Sequence, residues 1–383
     1  MRLSQCYNTQ QFRKLAKKQL PSAIFHYIDG GADDEKTLSR NTAAFDRCDL
    51  VPNVLTGIDQ VDMSTEIAGQ KLQLPLFLSP TALQRLFHYE GELAVAKAAK
   101  KFGTLFGLSS LGTISIESLG DIPDTPKMFQ LYVHKDQAVT WQMIDRCQSA
   151  NVDVLVLTVD AAVGGNRERD IKTGFTSPIR LTPKSALSFA LHPKWLFNYL
   201  TKQTFELPQL SGYVDEGSKV ALTIADYFTK MLDQSMDWQS AEEIADYWGK
   251  PFIIKGIMSV KDAKRAVKMG ASAIMISNHG GRQLDGSRSP FDQLAEIMDA
   301  VGNDIDVILD GGIQRGTHVL KALSLGAKAC SGGRWYLYAL AAGGQAGVER
   351  ALQNMHDEIE RGMKLMGVSA INELKPSNLR FRE

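Results

Sequence analysis

The stretch DVILDGGIQRGTHVLKALSLGAKACSGGR, residues 306–334, contains one complete structural unit. Its ends, DVILDGG (306–312) and ACSGG (329–333), are short apolar runs that stop in glycine pairs. Between them THVLKALSLG carries apolar residues at helical spacing. Strand, helix and strand in so short a span imply a parallel β/α pair. The same texture extends backwards as far as Pro75. Earlier strand candidates are LFLSP (76–80), LFGLS (105–109), MFQLYV (128–133), VLVLTVD (154–160), FIIKG (252–256) and AIMIS (273–277). Helix-like segments separate them, among them EGELAVAKAAKKFG, DQAVTWQMIDRCQSA, SVKDAKRAVKMG and PFDQLAEIMDAVG. The connection LGTISIESLGDIPDTPK has the weakest helical pattern. Eight strands favour a closed (β/α)8 TIM barrel, an α/β fold, over an open sheet.

The expected organisation is one domain over 1–383. An N-terminal helical extension fills 1–74 and the barrel 75–350. In the extension TQQFRKLAKKQL predicts one helix, Pro21 opens a second, and Gly30-Gly31 stops it. A long excursion, 161–235, separates the fourth and fifth strands. It holds prolines, large apolar residues and an excess of lysine, a composition that fits a lid, a surface excursion with a short buried helix, or a membrane-facing patch over 176–215.

Composition narrows the function. Net formal charge is zero, which argues against a large basic face for nucleic acid. Four cysteines without Cys-x-x-Cys spacing suggest a reducing compartment and neither a disulfide framework nor a zinc site; no metal is expected. The N-terminus lacks a secretory pattern, and no run is long enough to span a bilayer. The expected location is cytoplasmic, with peripheral contact to the inner face of the cell membrane as a further expectation.

In a barrel of this kind the strand ends share one face, and reactive groups belong there. Those ends supply Pro80, Thr81 and Ala82; Ser109; Gln130 and Tyr132; Thr158 and Asp160, with Arg167 soon after. The later strands supply Lys255; Ser277, His279 and Arg282; Asp310, Gly311 and Gly312; Gly333 and Arg334. Glycine turns after strands seven and eight let backbone N–H groups approach a phosphate, and Arg334 adds a fixed cation. No Gly-x-Gly-x-x-Gly follows a strand, which argues against a Rossmann dinucleotide site. A lone histidine at a strand end is more often structural than catalytic. Asp160 is placed to face His279, however, and a carboxylate fixing a histidine is a general-base arrangement. Arg282 and Arg167 suit a substrate carboxylate, or else surface ion pairs. Tyr27 and Tyr132 suit a substrate oxygen, or else a backbone partner. Lys255, buried in a strand, needs an anion: a cofactor atom, or an aspartate on a neighbouring strand.

From about Leu20 to Arg350 the chain resembles the FMN-dependent 2-hydroxy acid dehydrogenase/oxidase family, and is most similar to bacterial flavin L-lactate dehydrogenases. The resemblance rests on SPTALQRLFHYEGE, FQLYVHKD, LTVDAAVGGNRERD, IIKGI, SNHGGRQLD and DGGIQRG followed by GGR. It implies that His279 takes the substrate hydroxyl proton while the C2 hydrogen passes to the flavin, with Asp160 stabilising the protonated ring. It implies a carboxylate clamp of Arg282 and Arg167 aided by Tyr27 and Tyr132, and Lys255 beside the flavin. Pro80, Thr81, Ala82, Ser109, Gln130, Thr158 and Ser277 would line the ring or ribityl chain. Asp310, Gly311, Gly312, Gln314, Gly333 and Arg334 would hold the ribityl-phosphate end. Gln314 departs from the family's arginine and Arg315 follows it, so one phosphate cation is lost or replaced. Ala162 stands where a proline is usual, and Leu111 where glycolate oxidases carry tryptophan. Leu111 and Ala82 match lactate-using members. The implied activity is oxidation of L-lactate to pyruvate, with electrons passed to a quinone or another acceptor. The competing enzyme is an oxidase producing hydrogen peroxide from lactate, glycolate or a longer acid. A catalytically silent flavin barrel is a third class, which His279 and Asp160 beside two arginines argue against. A tetramer is the expected assembly.

Overall fold

The computed structural model describes residues 2–122, 124–175, 183–202, 205–211 and 230–382. Three helices come first: α1 (Thr9–Gln19), α2 (Ser22–Asp29) and α3 (Lys36–Ala43). Asn8 caps α1 by accepting from the Gln11 amide, and Phe12, Leu15 and Ala16 form its buried face. Helix α2 starts directly after Pro21 and closes at Gly30. Helical structure in the extension expected over 1–74 ends at Arg47, and the rest of it is corrected to strands and irregular chain. Short strands follow, β1 (Cys48–Leu50) and the hairpin β2 (Thr65–Ile67) with β3 (Gln70–Leu72). No sustained 3.6-residue apolar period runs through this stretch, which leaves it no face to bury as a helix.

The barrel then alternates strand and helix. β4 (Leu76–Thr81) leads to α4 (Gly91–Lys101), β5 (Phe106–Ser109), α5 (Glu117–Gly120) and β6 (Lys127–Leu131). Next come α6 (Gln137–Ser149) and β7 (Val154–Thr158), then the excursion with α7 (Glu168–Thr173), α8 (Pro183–Ala190) and α9 (Pro193–Thr201). The alternation resumes with α10 (Trp238–Trp248), β8 (Phe252–Ile257), α11 (Val260–Lys268) and β9 (Ala273–Ile276). It finishes with α12 (Pro290–Val301), β10 (Asp306–Asp310), α13 (Gly316–Ser324), β11 (Ala329–Gly332) and α14 (Arg334–Met366). Strands β4 to β11 pair in parallel and close, β11 against β4. A last strand, β12 (Leu379–Phe381), pairs antiparallel with β1.

Two apolar clusters hold this together. Inside the barrel, Phe77, Met128, Val156, Ile253, Met275 and Ile308 pack with Ile67 and Leu72 of the hairpin. The Ala68 amide donates to Asp306 at the start of β10, so the hairpin plugs the N-terminal end. Outside, the helices pack on the strands' other faces, and most strand interiors read as continuous apolar runs for that reason. Among its described residues the excursion combines these helices with irregular stretches such as 161–167 and 205–207. Of the expected membrane-facing segment 176–215, residues 176–182, 203–204 and 212–215 lie outside the described residues.

Candidate active site

A cavity of about 500 Å³ opens at the C-terminal ends of the barrel strands. Every residue singled out from the strand ends lines it except two, Asp160 and Ser277, which stand behind the wall. That exception decides what each of the two does.

His279 follows β9 and adopts φ +56°, left-handed backbone that a side-chain-bearing residue enters at a cost of about 1–3 kcal/mol. Its amide donates to Ser277 Oγ at 3.1 Å, and Gly280 and Gly281 continue the positive-φ turn. At Gly281 a Cβ would lie 2.5 Å from the Leu38 amide nitrogen, so the tight approach of α3 requires glycine. The turn aims the imidazole back over the cavity, where Nδ1 sits 2.9 Å from Asp160 Oδ1. Gly256 on the intervening β8 makes room, since a Cβ there would fall 2.7 Å from the Asp160 Cβ. Burial would raise Asp160, but His279 and Lys255 outweigh it and hold the carboxyl below its ordinary range. Burial lowers His279 below the usual histidine value, although Asp160 works in the opposite direction. At neutral pH the pair is therefore carboxylate and neutral imidazole. Nδ1–H donates to Asp160, and Nε2 is left as the acceptor.

Two guanidinium groups flank the ring. Arg282 donates to the carbonyls of Tyr27 (2.7 Å) and Gly30 (3.0 Å), and its guanidinium lies 4.8 Å from the Tyr27 ring centre. Arg167 also lines the cavity, and burial followed by the charge of Arg282 lowers its pKa to about 10. Neither makes a carboxylate ion pair among the described residues, and both are half-buried cations on the cavity wall, placed to meet an anion there. The alternative of surface ion pairs is excluded. Tyr27 and Tyr132 stand beside them, both buried.

Lys255 resolves differently from either simple expectation, because it has a protein anion and faces the cavity as well. Its ammonium lies 3.1 Å from Asp310 Oδ2 and donates to Ser277 Oγ at 2.9 Å. Asp310 accepts three further hydroxyl bonds, from Ser79, Ser277 and Ser331. These bonds and Lys255 overcome burial and hold Asp310 well below the carboxylate range. Ser277 thus bridges Lys255 and Asp310 and does not itself line the cavity.

The wall fits FMN. Among the described residues Gln130 Nε2 and Thr158 Oγ1 are buried without a hydrogen-bond partner, the unmet polar atoms that a heteroaromatic ring edge satisfies. The Lys255 ammonium supplies positive charge beside them. At the far end lie Gly311, Gly312 and Gly333, with the N-terminus of α14, a ready anion site. Arg334 lines this end while donating to the carbonyls of Ile28, Gly30 and Gly280. Arg315 does not replace the missing arginine: it turns outward to Glu358 at 3.1 Å. Gln314 bonds Gln10 and Thr42, which brings α1 and α3 to the rim.

A barrel with this site defines a class, the flavin-dependent oxidoreductases that act on hydroxy acids. The FMN-dependent dehydrogenase family model matches residues 16–381, and the chain belongs to that family. It is an FMN enzyme that oxidises a hydroxy acid. An L-lactate oxidase of Nostoc sp. is 40% identical over 98% of this chain and 99% of its own. An L-lactate dehydrogenase of Vibrio parahaemolyticus is 39% identical over 96% and 97%. Among solved structures, the monotopic membrane protein (S)-mandelate dehydrogenase superposes with a TM-score of 0.93 at 33% identity, over 99% of this chain and 100% of that one.

Sequence reasoning missed some of the site. Ser331 and Tyr336, which bonds Thr81 and the Ser79 carbonyl, sit in ordinary apolar context and carry no motif. Arg13 reaches the cavity from α1 and pairs with Asp29 at 2.5 Å, but the helix pattern alone shows only amphipathicity.

Proposed function

We propose that the protein oxidises L-lactate to pyruvate on FMN and passes the electrons to a quinone or another acceptor rather than to O2. The observation that carries the reading is the His279–Asp160 pair in one cavity with Arg167 and Arg282. The arginines bind the carboxylate and Tyr27 and Tyr132 orient the hydroxyl and carboxylate oxygens. His279 Nε2 takes the hydroxyl proton, and Asp160 stabilises the imidazolium that results. FMN, when bound, accepts the hydrogen and electron pair leaving C2. Lys255, lining the cavity, would place positive charge beside the bound FMN. Ala82 and Leu111 line the same cavity with aliphatic side chains, which suit a methyl group.

Membrane attachment is part of the proposal. No helix among the described residues is long and apolar enough to cross a membrane. Helices α8 and α9 and their junction nevertheless expose Leu187, Leu191, Phe197 and Leu200, with Lys184, Lys194 and Lys202 among them. Such a face suits peripheral contact with anionic lipid at the inner surface of the cell membrane. We also propose the single-domain organisation and, from the family resemblance, a homotetramer.

The Nostoc relative favours a second reading, an oxidase that reduces O2 to hydrogen peroxide. Anaerobic reduction of the bound flavin by a panel of 2-hydroxy acids, followed by admission of O2, separates the two. The proposal expects L-lactate to be the fastest reductant and reoxidation by O2 to be slow beside that by a quinone. Rapid reoxidation with stoichiometric peroxide gives the oxidase instead.

A further inference from the structure

A second cavity, about 280 Å³, lies between the loop after β4, helix α9 and the kink of α14. The kink is built in: Gly344 has φ +57°, and a Cβ there would fall 2.0 Å from Glu90 Oε2. Breaking α14 at this point leaves the small residues Ala341, Ala342 and Gly343 as the cavity floor. One wall is the stacked pair Trp195 and Tyr199, with ring centres 5.1 Å apart and planes at 10°. Trp195 Nε1 donates to the Leu86 carbonyl at 2.8 Å, which ties α9 to the loop carrying Phe87. Phe87 lines this cavity and the FMN cavity alike. His88 and Lys194 supply donors at the lining. The outer side of the same helix carries the exposed apolar residues described above.

We propose that this cavity is the electron-acceptor site and takes the head ring of a lipid-soluble quinone. Flat aromatic walls suit a planar ring, the donors suit its carbonyl oxygens, and a phenyl ring is shared with the flavin cavity. The balance is complete. The hydroxy acid loses its O–H and C2–H bonds, giving up two protons and two electrons to become the 2-oxo acid. The quinone takes two electrons past Phe87 and two protons, forming the two O–H bonds of the quinol. The proposal rests on the reading of α8 and α9 as a membrane face, because a lipid-soluble acceptor would enter from that side.

The test uses detergent-dispersed holoenzyme reduced with dithionite, so it depends neither on vesicles nor on the substrate. Reduced enzyme is mixed anaerobically with decyl-benzoquinone or with ferricyanide, for the wild type and for Asn198→Trp and Ala342→Leu, which fill the cavity. The expected result is quinone reoxidation slowed at least about tenfold in both variants, with ferricyanide reoxidation and lactate-driven flavin reduction within about twofold of wild type. Unchanged quinone reoxidation in both variants overturns the site. So does competition between the quinone and a 2-oxo acid bound at the FMN cavity, because it places the quinone there. Vesicle co-sedimentation of the same proteins tests the membrane reading separately. A protein that fails to bind vesicles yet shows the tenfold loss keeps the acceptor site and loses only the membrane face.

Discussion

His279 and Asp160 are 119 residues apart in the chain, and Nδ1 of one lies 2.9 Å from Oδ1 of the other. Only the histidine lines the cavity, and the aspartate sits behind it. We propose that Asp160 acts on substrate through the imidazole, by fixing its tautomer and opposing the charge it gains.

Asp160→Asn should lower flavin reduction by about 10²–10⁴-fold, the range associated with general-base catalysis, while FMN stays bound. The pH profile separates this from misfolding. Burial already lowers His279, so kcat/KM of the wild type should fall only below the usual histidine range, as the ring becomes protonated. Asp160 raises the His279 pKa, so its removal lowers that pKa, and the acid limb should move to lower pH. A limb that stays in place would remove Asp160 from its role.

Arg282→Met should weaken binding of the hydroxy acid. Charge-assisted bonds contribute roughly 1.5–3 kcal/mol, so KM should rise about 10- to 100-fold. A 2-hydroxy acid amide, which lacks the carboxylate, should lose far less. Equal effects on acid and amide would refute the clamp.

Lys255→Met strands Asp310, which is 7% exposed at its side chain and sits among three hydroxyls. Removing one partner of a buried pair costs about 3–5 kcal/mol. Urea unfolding of the flavin-free protein should show that loss. Lys255→Met with Asp310→Asn should recover part of it, and a variant as stable as wild type would contradict the pairing.

Replacing Leu187, Leu191, Phe197 and Leu200 by serine should abolish co-sedimentation with anionic vesicles, because each apolar side chain contributes roughly 1.5–3 kcal/mol on burial. Flavin reduction by L-lactate in solution should be unchanged. Retained vesicle binding would dismiss this face as the anchor.

Much of this was legible in the sequence. All eight barrel strands were read to within two residues at each end, because strands covered on both sides are continuous apolar runs. His279, Arg282 and Asp160 were legible as polar residues at the ends of such runs. Ser277 was legible in the same way, but its bridging role was not, since its partners Lys255 and Asp310 lie on the two neighbouring strands and only the register brings them to it. The pairing of Cys48–Leu50 with Leu379–Phe381 joins two three-residue strands from opposite ends of the chain, with no turn signal between them. The β5 to β6 connection escaped because its helix is four residues long. Its preceding loop is held by the buried Glu92 carboxylate, which accepts from the Thr113 amide, and by Gln209 from the excursion. Neither contact leaves a periodic trace.

The central claim is that His279 is the base that lets a 2-hydroxy acid reduce FMN in this cavity. Its most direct test is anaerobic rapid mixing of wild-type and His279→Gln holoenzymes with L-lactate, following flavin absorbance. The wild type should bleach fully, and His279→Gln should retain FMN and bleach more slowly by about 10²–10⁴-fold. Bleaching of the flavin-loaded variant at the wild-type rate would contradict the account.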